Sequence, residues 1–576
     1  MKRRLGLPGV AVAACLAGCI ASPDARPAAV GPHYGLLAKG QGGAPPPPPP
    51  PPPAARSISI DAGVPLHHAS PFVNGFNRNH SHRQFALRNL SYAAYINAMR
   101  RLEPAWGGSY VQDQVAAGFP VDPARRSVLR TGHGPTDGRT DFTFMLGYFF
   151  NSMWGLDGQA TTLDGYPYDD FRYPLQEAED EGAQCLVTVN FGTGTADDAT
   201  ALAGMLASPA HALRQAHPYG APPFTMAGEA YTPFMYEIGN EVQLSLMRGH
   251  EKARSIDQYV ANAAPYVTGI RAAAGYPVKV ALAATVNAFW GGPTTPPDGW
   301  AQREAMVGAF MGAARTAGIG FDALQIHTYP SFPVTEKLAG VAYEENFLST
   351  RIMPEMTRQG ATFELWDDEL HAATGLAATN TGLYGALFQA ASTVMAFKLS
   401  YGGRQLIPVM GDFAPWHAGT AIDSLYFQNN SPAAATPIYH FRRLLARDWG
   451  DTIVSTRVAG VGSWTDRARN GEVTTVPNLT ATSALSADGA TLYLLVVNTS
   501  QRTDETVGLR LAGFAAAPAR LSRITSTRGW TATWDQTVVT ENVPLNAAGA
   551  VAFPHASISL IAIPRVPPPP LPPVVP

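Results

Sequence analysis

Cysteine is scarce: three in 576 residues, two of them, Cys15 and Cys19, within the first twenty positions. Only Cys185 is left for a folded region, which reads as a core residue of a strand. One thiol cannot build a disulfide framework, a cysteine-rich zinc site or an iron–sulfur cluster. Charge is sparse too, at 15% of residues, with 41 Lys and Arg against 44 Asp and Glu. Without Lys2, Arg3 and Arg4 the formal balance moves from −3 to −6. No basic field exists to hold a phosphate backbone, so no nucleic-acid partner is expected. The apolar run near the N-terminus, about a dozen residues, is too short to cross a bilayer core of roughly 30 Å. Proline is what abounds, with 50 residues, concentrated in Pro45–Pro53 and in the tail from Pro567. At 46% hydrophobic the remainder is too apolar for disorder and long enough for two cores of about 100–200 residues or more.

Residues 1–19 read MKRRLGLPGVAVAACLAGC: three cations, a short apolar run, then small residues. That is the order of an export signal. Leu16-Ala17-Gly18-Cys19 resembles the lipobox of bacterial lipoproteins. The resemblance implies a signal peptide over 1–18, cleavage before Cys19 and lipid attachment to its thiol. Ile20, rather than Asp, goes with outer-membrane sorting in Gram-negative bacteria. The expected location is therefore exported and lipid-anchored, on the periplasmic face or the cell surface. Residues 19–55 form a proline-rich tether, rising about 3.1 Å per residue where polyproline II. Residues 566–576 are a frayed proline-rich tail.

From residue 56 the texture is globular. Candidate strands are Ser127–Arg130, Cys185–Asn190, Phe234–Ile238, Val278–Ala284, Ala323–His327, Ala361–Glu369 and Arg404–Val409. Helical stretches fall between them at Thr195–Leu206, Ile256–Ala274, Arg303–Ala317, Asn346–Arg358 and Leu383–Leu399. This alternation predicts an α/β fold with a parallel sheet. Several strands end in polar residues: Asn190, Asn240-Glu241, Asn287, His327, Glu369 and Asp412. Polar strand ends suit a (β/α)8 TIM barrel, whose active site is built at that face. An open doubly wound sheet would need a Gly-rich phosphate turn after its first strand, and none is present. The barrel is placed at 67–432. Beyond it, Thr491–Asn498, Val507–Leu511 and Ser557–Ile563 read as strands of a C-terminal antiparallel β-sandwich over 433–565, joined by 56–66.

Two segments carry the chemistry. Phe234-Met-Tyr-Glu-Ile-Gly-Asn-Glu241 delivers Asn240 and Glu241 to the barrel mouth from the fourth strand. Phe363-Glu-Leu-Trp-Asp-Asp-Glu369 delivers a second carboxylate from the seventh. Two carboxylates about 5–5.5 Å apart suit retaining glycoside hydrolysis, in which one donates a proton and the other attacks the anomeric carbon. Glu364 is a second candidate nucleophile. Glu369 is favoured because it lies beyond the apolar run and follows an aspartate.

These segments resemble clan A glycoside hydrolases, most nearly the family 51 α-L-arabinofuranosidases, with echoes of families 39 and 79. The resemblance includes Ser127-Val-Leu-Arg-Thr-Gly-His133 as a second-strand arginine segment and Val187-Thr-Val-Asn-Phe-Gly-Thr-Gly-Thr195 on the third strand. Tyr236-Glu-Ile-Gly-Asn-Glu241 and Gln325-Ile-His-Thr-Tyr329 extend it to the fourth and sixth strands. It implies Glu241 as acid/base, Glu369 as nucleophile and Asn240 on the sugar 2-hydroxyl. His327 and Tyr329 would steer the nucleophile, Arg130 would stabilise its charge, and Trp416 would stack on a sugar. It implies a carbohydrate substrate, no cofactor and no metal. Val242, His371 and Ala372 depart from the family 51 pattern. β-Glucuronidase-, xylosidase- and glucanase-type activities remain open beside arabinofuranosidase.

Two other classes compete. A metal-dependent barrel hydrolase would use His80-Ser-His82 with His327 and Asp412 to hold zinc and activate a water. It would want a lysine on strand four, where Asn240-Glu241 stands instead. A non-catalytic carbohydrate-binding surface lipoprotein would not need to retain both carboxylates.

Overall fold

The computed structural model describes residues 56–76, 106–107, 162–163, 166–167, 184–189, 191, 195–207, 234–239, 242, 253, 255–284, 299–328, 337–370, 372, 382–412, 425–428, 431–467, 473–545 and 549–566. The chain divides into two units, Met1–Pro53 and Ala54–Pro576, and every described residue belongs to the second.

The first strand, β1 (Ser57–His68), belongs to the C-terminal sheet. Eight strands then close a ring in chain order: β2 (Gly75–Phe76), β3 (Trp106–Gly107), β4 (Gln184–Val189), β5 (Met235–Ile238), β6 (Lys279–Ala283), β7 (Ala323–Thr328), β8 (Glu364–Leu370) and β9 (Val409–Asp412). Every pairing around the ring is parallel. Parallel strands need crossovers. Helices supply those that are described: α1 (Ala196–Ala207), α2 (Ile256–Ala274), α3 (Gly299–Ala317), α4 (Lys337–Phe347) with α5 (Met353–Gln359), and α6 (Leu383–Lys398).

Local chemistry sets the element ends. Ser255 caps α2 by accepting from the Gln258 amide at 3.2 Å, and Gly275 closes it at φ 69°. A left-handed residue there suits glycine, which has no Cβ to clash. The buried face of α2 recurs at Tyr259, Val260, Ala263, Tyr266, Val267, Ile270 and Ala274, the spacing of one helical stripe.

Inside the ring, Leu186, Met235, Ala281, Ala323, Trp366 and Val409 form one apolar layer, a residue from each of six strands. Their alternates, among them Val187, Tyr236, Ile238, Leu324 and Ile326, pack outward in the main core with the helices. Both faces of these strands are buried, which is why they read as nearly continuous apolar runs.

One expected strand moves. The second ring position is held by Trp106–Gly107, and the expected strand Ser127–Arg130 lies outside the described residues. The last ring strand is Val409–Asp412 rather than Arg404–Val409. Arg404-Gln405 instead pairs with Ser400-Tyr401 in a hairpin turned by Gly402 and Gly403, both at positive φ.

After α7 (Pro437–Arg447) come β10 (Thr452–Ala459), β11 (Leu479–Leu485), β12 (Thr491–Asn498), β13 (Glu505–Ala512), β14 (Ala519–Thr525), β15 (Val538–Leu545), β16 (Ala550–Phe553) and β17 (Ser557–Pro564). With β1 they make a nine-stranded sheet in the order β15-β14-β17-β12-β11-β10-β1-β13-β16. All its pairings are antiparallel except β1 with β13. Its strands share one apolar cluster that runs from Leu521 on β14 to Val551 on β16. Leu492, Leu494 and Val496 of β12 face that cluster, while Leu495 and Val497 join the ring's core. Helix α6 is buried from Leu383 to Phe397, which fits a helix apolar on all sides and covered by both ring and sheet.

Candidate active site

Above the apolar layer the ring interior turns polar. Glu237 is the one acidic residue in β5, and it is buried. Thr188 on the neighbouring β4 donates its hydroxyl to Glu237 Oε1. Gln325 Nε2 on β7 donates to Glu237 Oε2 at 2.8 Å. That bond passes over β6, whose contributions at 281 and 283 are alanines, too small to stand between the two. The same Nε2 donates to Asp368 Oδ2 on β8 at 3.0 Å. His327 Nε2 lies 3.5 Å from Asp368 Oδ1, with both side chains almost wholly buried. One chain of contacts, Thr188–Glu237–Gln325–Asp368–His327, thus runs through the barrel from β4 to β8.

Strand β8 is irregular at this level. Trp366 pairs with Gln325 and Asp367 with Ile326, but the next partner of β7, His327, faces Glu369. Asp368 is the extra residue of a β-bulge, and a bulge shifts the alternation of faces by one. Trp366 accordingly belongs to the inner layer and Leu370 to the outer core. Asp367 also points away from the interior chain. Its Oδ1 accepts from the Thr328 amide at 3.1 Å. Burial, reinforced by the charges of Asp368 and Glu344, pushes its carboxyl well above the usual range despite the opposing Thr328 bond and His327.

Strand β5 is followed by Gly239 at φ 77°, whose amide donates to Val189 O at 3.1 Å. This left-handed turn immediately precedes Asn240 and Glu241. Beneath it, the Tyr259 hydroxyl of α2 donates to Ile238 O at 2.5 Å and accepts from the Ala283 amide at 2.8 Å. Burial raises the Tyr259 phenol pKa, so it stays protonated and stitches β5 to β6.

The residues expected from the sequence divide into three groups. His327 is described and lies buried in the polar layer beside Asp368. Glu369 is placed by its backbone on β8, opposite His327. Arg130, Asn240, Glu241, Tyr329, Trp416 and Cys19 lie outside the described residues, as do His80 and His82. Among the described residues no group of three His, Cys, Asp or Glu side chains is placed to hold a metal ion. Glu364 stands at the N-terminal end of β8, away from the strand end that carries Glu369. Lys279 Nζ meets its Oε1 at 2.6 Å, and Trp366 Nε1 meets its Oε2 at 3.2 Å. Sequence reading missed Thr188, Glu237, Gln325 and Asp368 as a unit, because the first three each sit singly within a mostly apolar strand and Asp368 stands beside the favoured Glu369. The only available signal was a polar residue at the inward alternate of a buried strand.

No family model matches this sequence, and no curated protein matches it. Solved structures do resemble the fold. The α-L-arabinofuranosidase from Thermotoga maritima superposes with a TM-score of 0.62 at 16% identity, covering 88% of this chain and 100% of that one. A family 51 arabinofuranosidase from Xanthomonas axonopodis pv. citri gives 0.61 at 14% identity, covering 88% and 100%. A family 44 xyloglucanase from Paenibacillus polymyxa gives 0.52 at 12% identity, covering 89% and 99%. At these identities the likeness establishes a shared architecture. That shared fold is mixed α/β, of the kind found in glycoside hydrolases of families 51 and 44.

Proposed function

We propose that this chain is a retaining glycoside hydrolase acting on oligo- or polysaccharides, with α-L-arabinofuranosides as its leading substrate class. One observation carries the reading: the fourth and seventh strands of a closed parallel ring lead into Asn240-Glu241 and Glu369. In a barrel this is the face where catalytic groups gather. The bulge supports it further, because it brings the backbone of Glu369 opposite that of His327 at this end of the ring.

Glu241 acts as acid, protonating the departing glycosidic oxygen. Glu369 attacks the anomeric carbon and forms a glycosyl ester. Glu241 then takes a proton from water as that ester is hydrolysed, so the anomeric configuration is kept. Asn240 binds the 2-hydroxyl, Arg130, His327 and Tyr329 surround the nucleophile, and Trp416 supplies a stacking surface. In this reading the ring is a complete (β/α)8 barrel over 67–432, and 56–66 with 433–565 form a two-layered sandwich.

The superposition on a family 44 xyloglucanase favours a second reading, an endo-acting glucanase-type enzyme in the same clan. The higher similarity to arabinofuranosidases places it behind the first. A panel of aryl glycosides, with arabinoxylan and xyloglucan, separates the two. Turnover of the aryl arabinofuranoside is expected. Polysaccharide cleavage without it would select the glucanase, and no turnover of any glycoside would overturn the glycosidase reading.

We further propose that the chain is exported and anchored through lipid on Cys19, with 19–55 as the spacer to the enzyme. In a bacterial host, Cys19→Ala should move the protein from the membrane fraction to the soluble fraction. Unchanged membrane association would contradict the anchor.

A further inference from the structure

The buried chain beneath the mouth has a connectivity that a packing role does not require. Gln325 spends two N–H bonds from one nitrogen on two acids, Glu237 Oε2 at 2.8 Å and Asp368 Oδ2 at 3.0 Å. A primary amide nitrogen has two hydrogens, so this donor is fully committed. Glu237 accepts at both oxygens, from Thr188 and from Gln325, the pattern of an ionised carboxylate. The two acids lie on the two strands that lead to the proposed catalytic carboxylates. Glu237 lies on β5, four residues before Glu241 in sequence, and Asp368 immediately precedes Glu369 on β8. All three side chains are buried, where a lost hydrogen bond is costly.

We propose that Gln325 is a positioning residue that ties the strand leading to Glu241 to the strand bearing Glu369, and that the acids it bridges set the charge beneath the mouth. The inference rests on the glycosidase reading above and deepens it. A rigid link of this kind matters because reacting groups misplaced by about 1 Å can lose on the order of a hundredfold in rate. On the glycosidase reading, an anion at Glu237, four residues before Glu241 in sequence, opposes ionisation of that acid/base and keeps its proton available. The ionisable groups around this point are Asp368 and His327 across Gln325, Tyr259 from α2, and Asp367 and Glu344 behind β8.

The test uses the full chain and the aryl glycoside that the wild type turns over best. Gln325→Met keeps the volume and removes both donors. It should lower kcat by about tenfold or more while KM stays within about threefold, the split expected when orientation rather than binding is lost. Glu237→Gln keeps the shape and removes one anion. It should move the basic limb of the kcat/KM profile to lower pH by about half a unit or more, because an acid with one fewer anion beside it ionises earlier. A merely structural role would lower the melting temperature and leave both the kcat-to-KM split and the pH limbs in place. Glu237→Gln decides the matter if Gln325→Met fails to fold. Wild-type turnover with unmoved kcat and pH limbs in the folded variants overturns this proposal alone. A wild type that turns over no glycoside overturns the glycosidase reading and this proposal together.

Discussion

Glu364 shows how a residue's station on a strand decides its work. It is a buried carboxylate in the same strand as Glu369, yet it faces Lys279, the first residue of β6, and the indole of Trp366 at the apolar end of the ring. Arg404 Nη1 lies 3.9 Å from it as well. Such a group pins strand starts together and has no access to a substrate at the other end. Glu364→Gln should therefore lower stability by about 1–2 kcal/mol, between the values for exposed and buried pairs. Its kcat should stay within about twofold of wild type, since no interaction with the reacting groups is removed. Thermal melts and steady-state rates on the same preparation check this. A thousandfold loss of rate would return Glu364 to the nucleophile's role.

At the scale of elements, legibility followed periodicity. Helix α2 could be read to its last residue because Ser255, the apolar stripe and Gly275 agree. Strands β4 to β8 were readable as apolar runs because both faces are buried. Strand β3 has two residues, Trp106-Gly107, too few for any period. The start of β9 was displaced because Arg404-Gln405, the returning arm of the Gly402-Gly403 hairpin, was read as part of the expected strand. The polar layer was hidden for a different reason: Glu237 and Gln325 meet only in three dimensions, across the alanines at 281 and 283 of β6. Strand β1 carries a further consequence. Its His67 is buried where the strand passes α6, and that burial lowers its pKa to about 4, with Phe397 backbone bonding partly opposing and His68 assisting. The unfolded imidazole, near 6.5, takes a proton before the folded one does. Stability should fall as pH drops from about 6.5 toward about 4 and then level off for this group. Melting temperatures across that range should show the slope, and His67→Gln should flatten it. An unchanged slope in the variant would remove His67 from the account.

The whole molecule joins the ring and the nine-stranded sheet through one shared core. Tyr384 of α6 meets Trp530 edge-on at 5.4 Å, and Trp464 meets the same indole at 5.4 Å. Buried Arg442 of α7 donates to Val73 O at 2.7 Å and to Gln389 of α6. The sheet thus braces the ring from the side of α6 and α7, and the strand ends leading to Glu241 and Glu369 stand on a scaffold held in place around them. The function proposed for that scaffold rests on one nucleophile, and the direct test is to remove it. The rate on the best aryl glycoside is measured for the wild type and for Glu369→Gln, with matched thermal melts. The account predicts a loss of about three orders of magnitude or more with folding intact; a folded Glu369→Gln variant that retains near-wild-type turnover would contradict it.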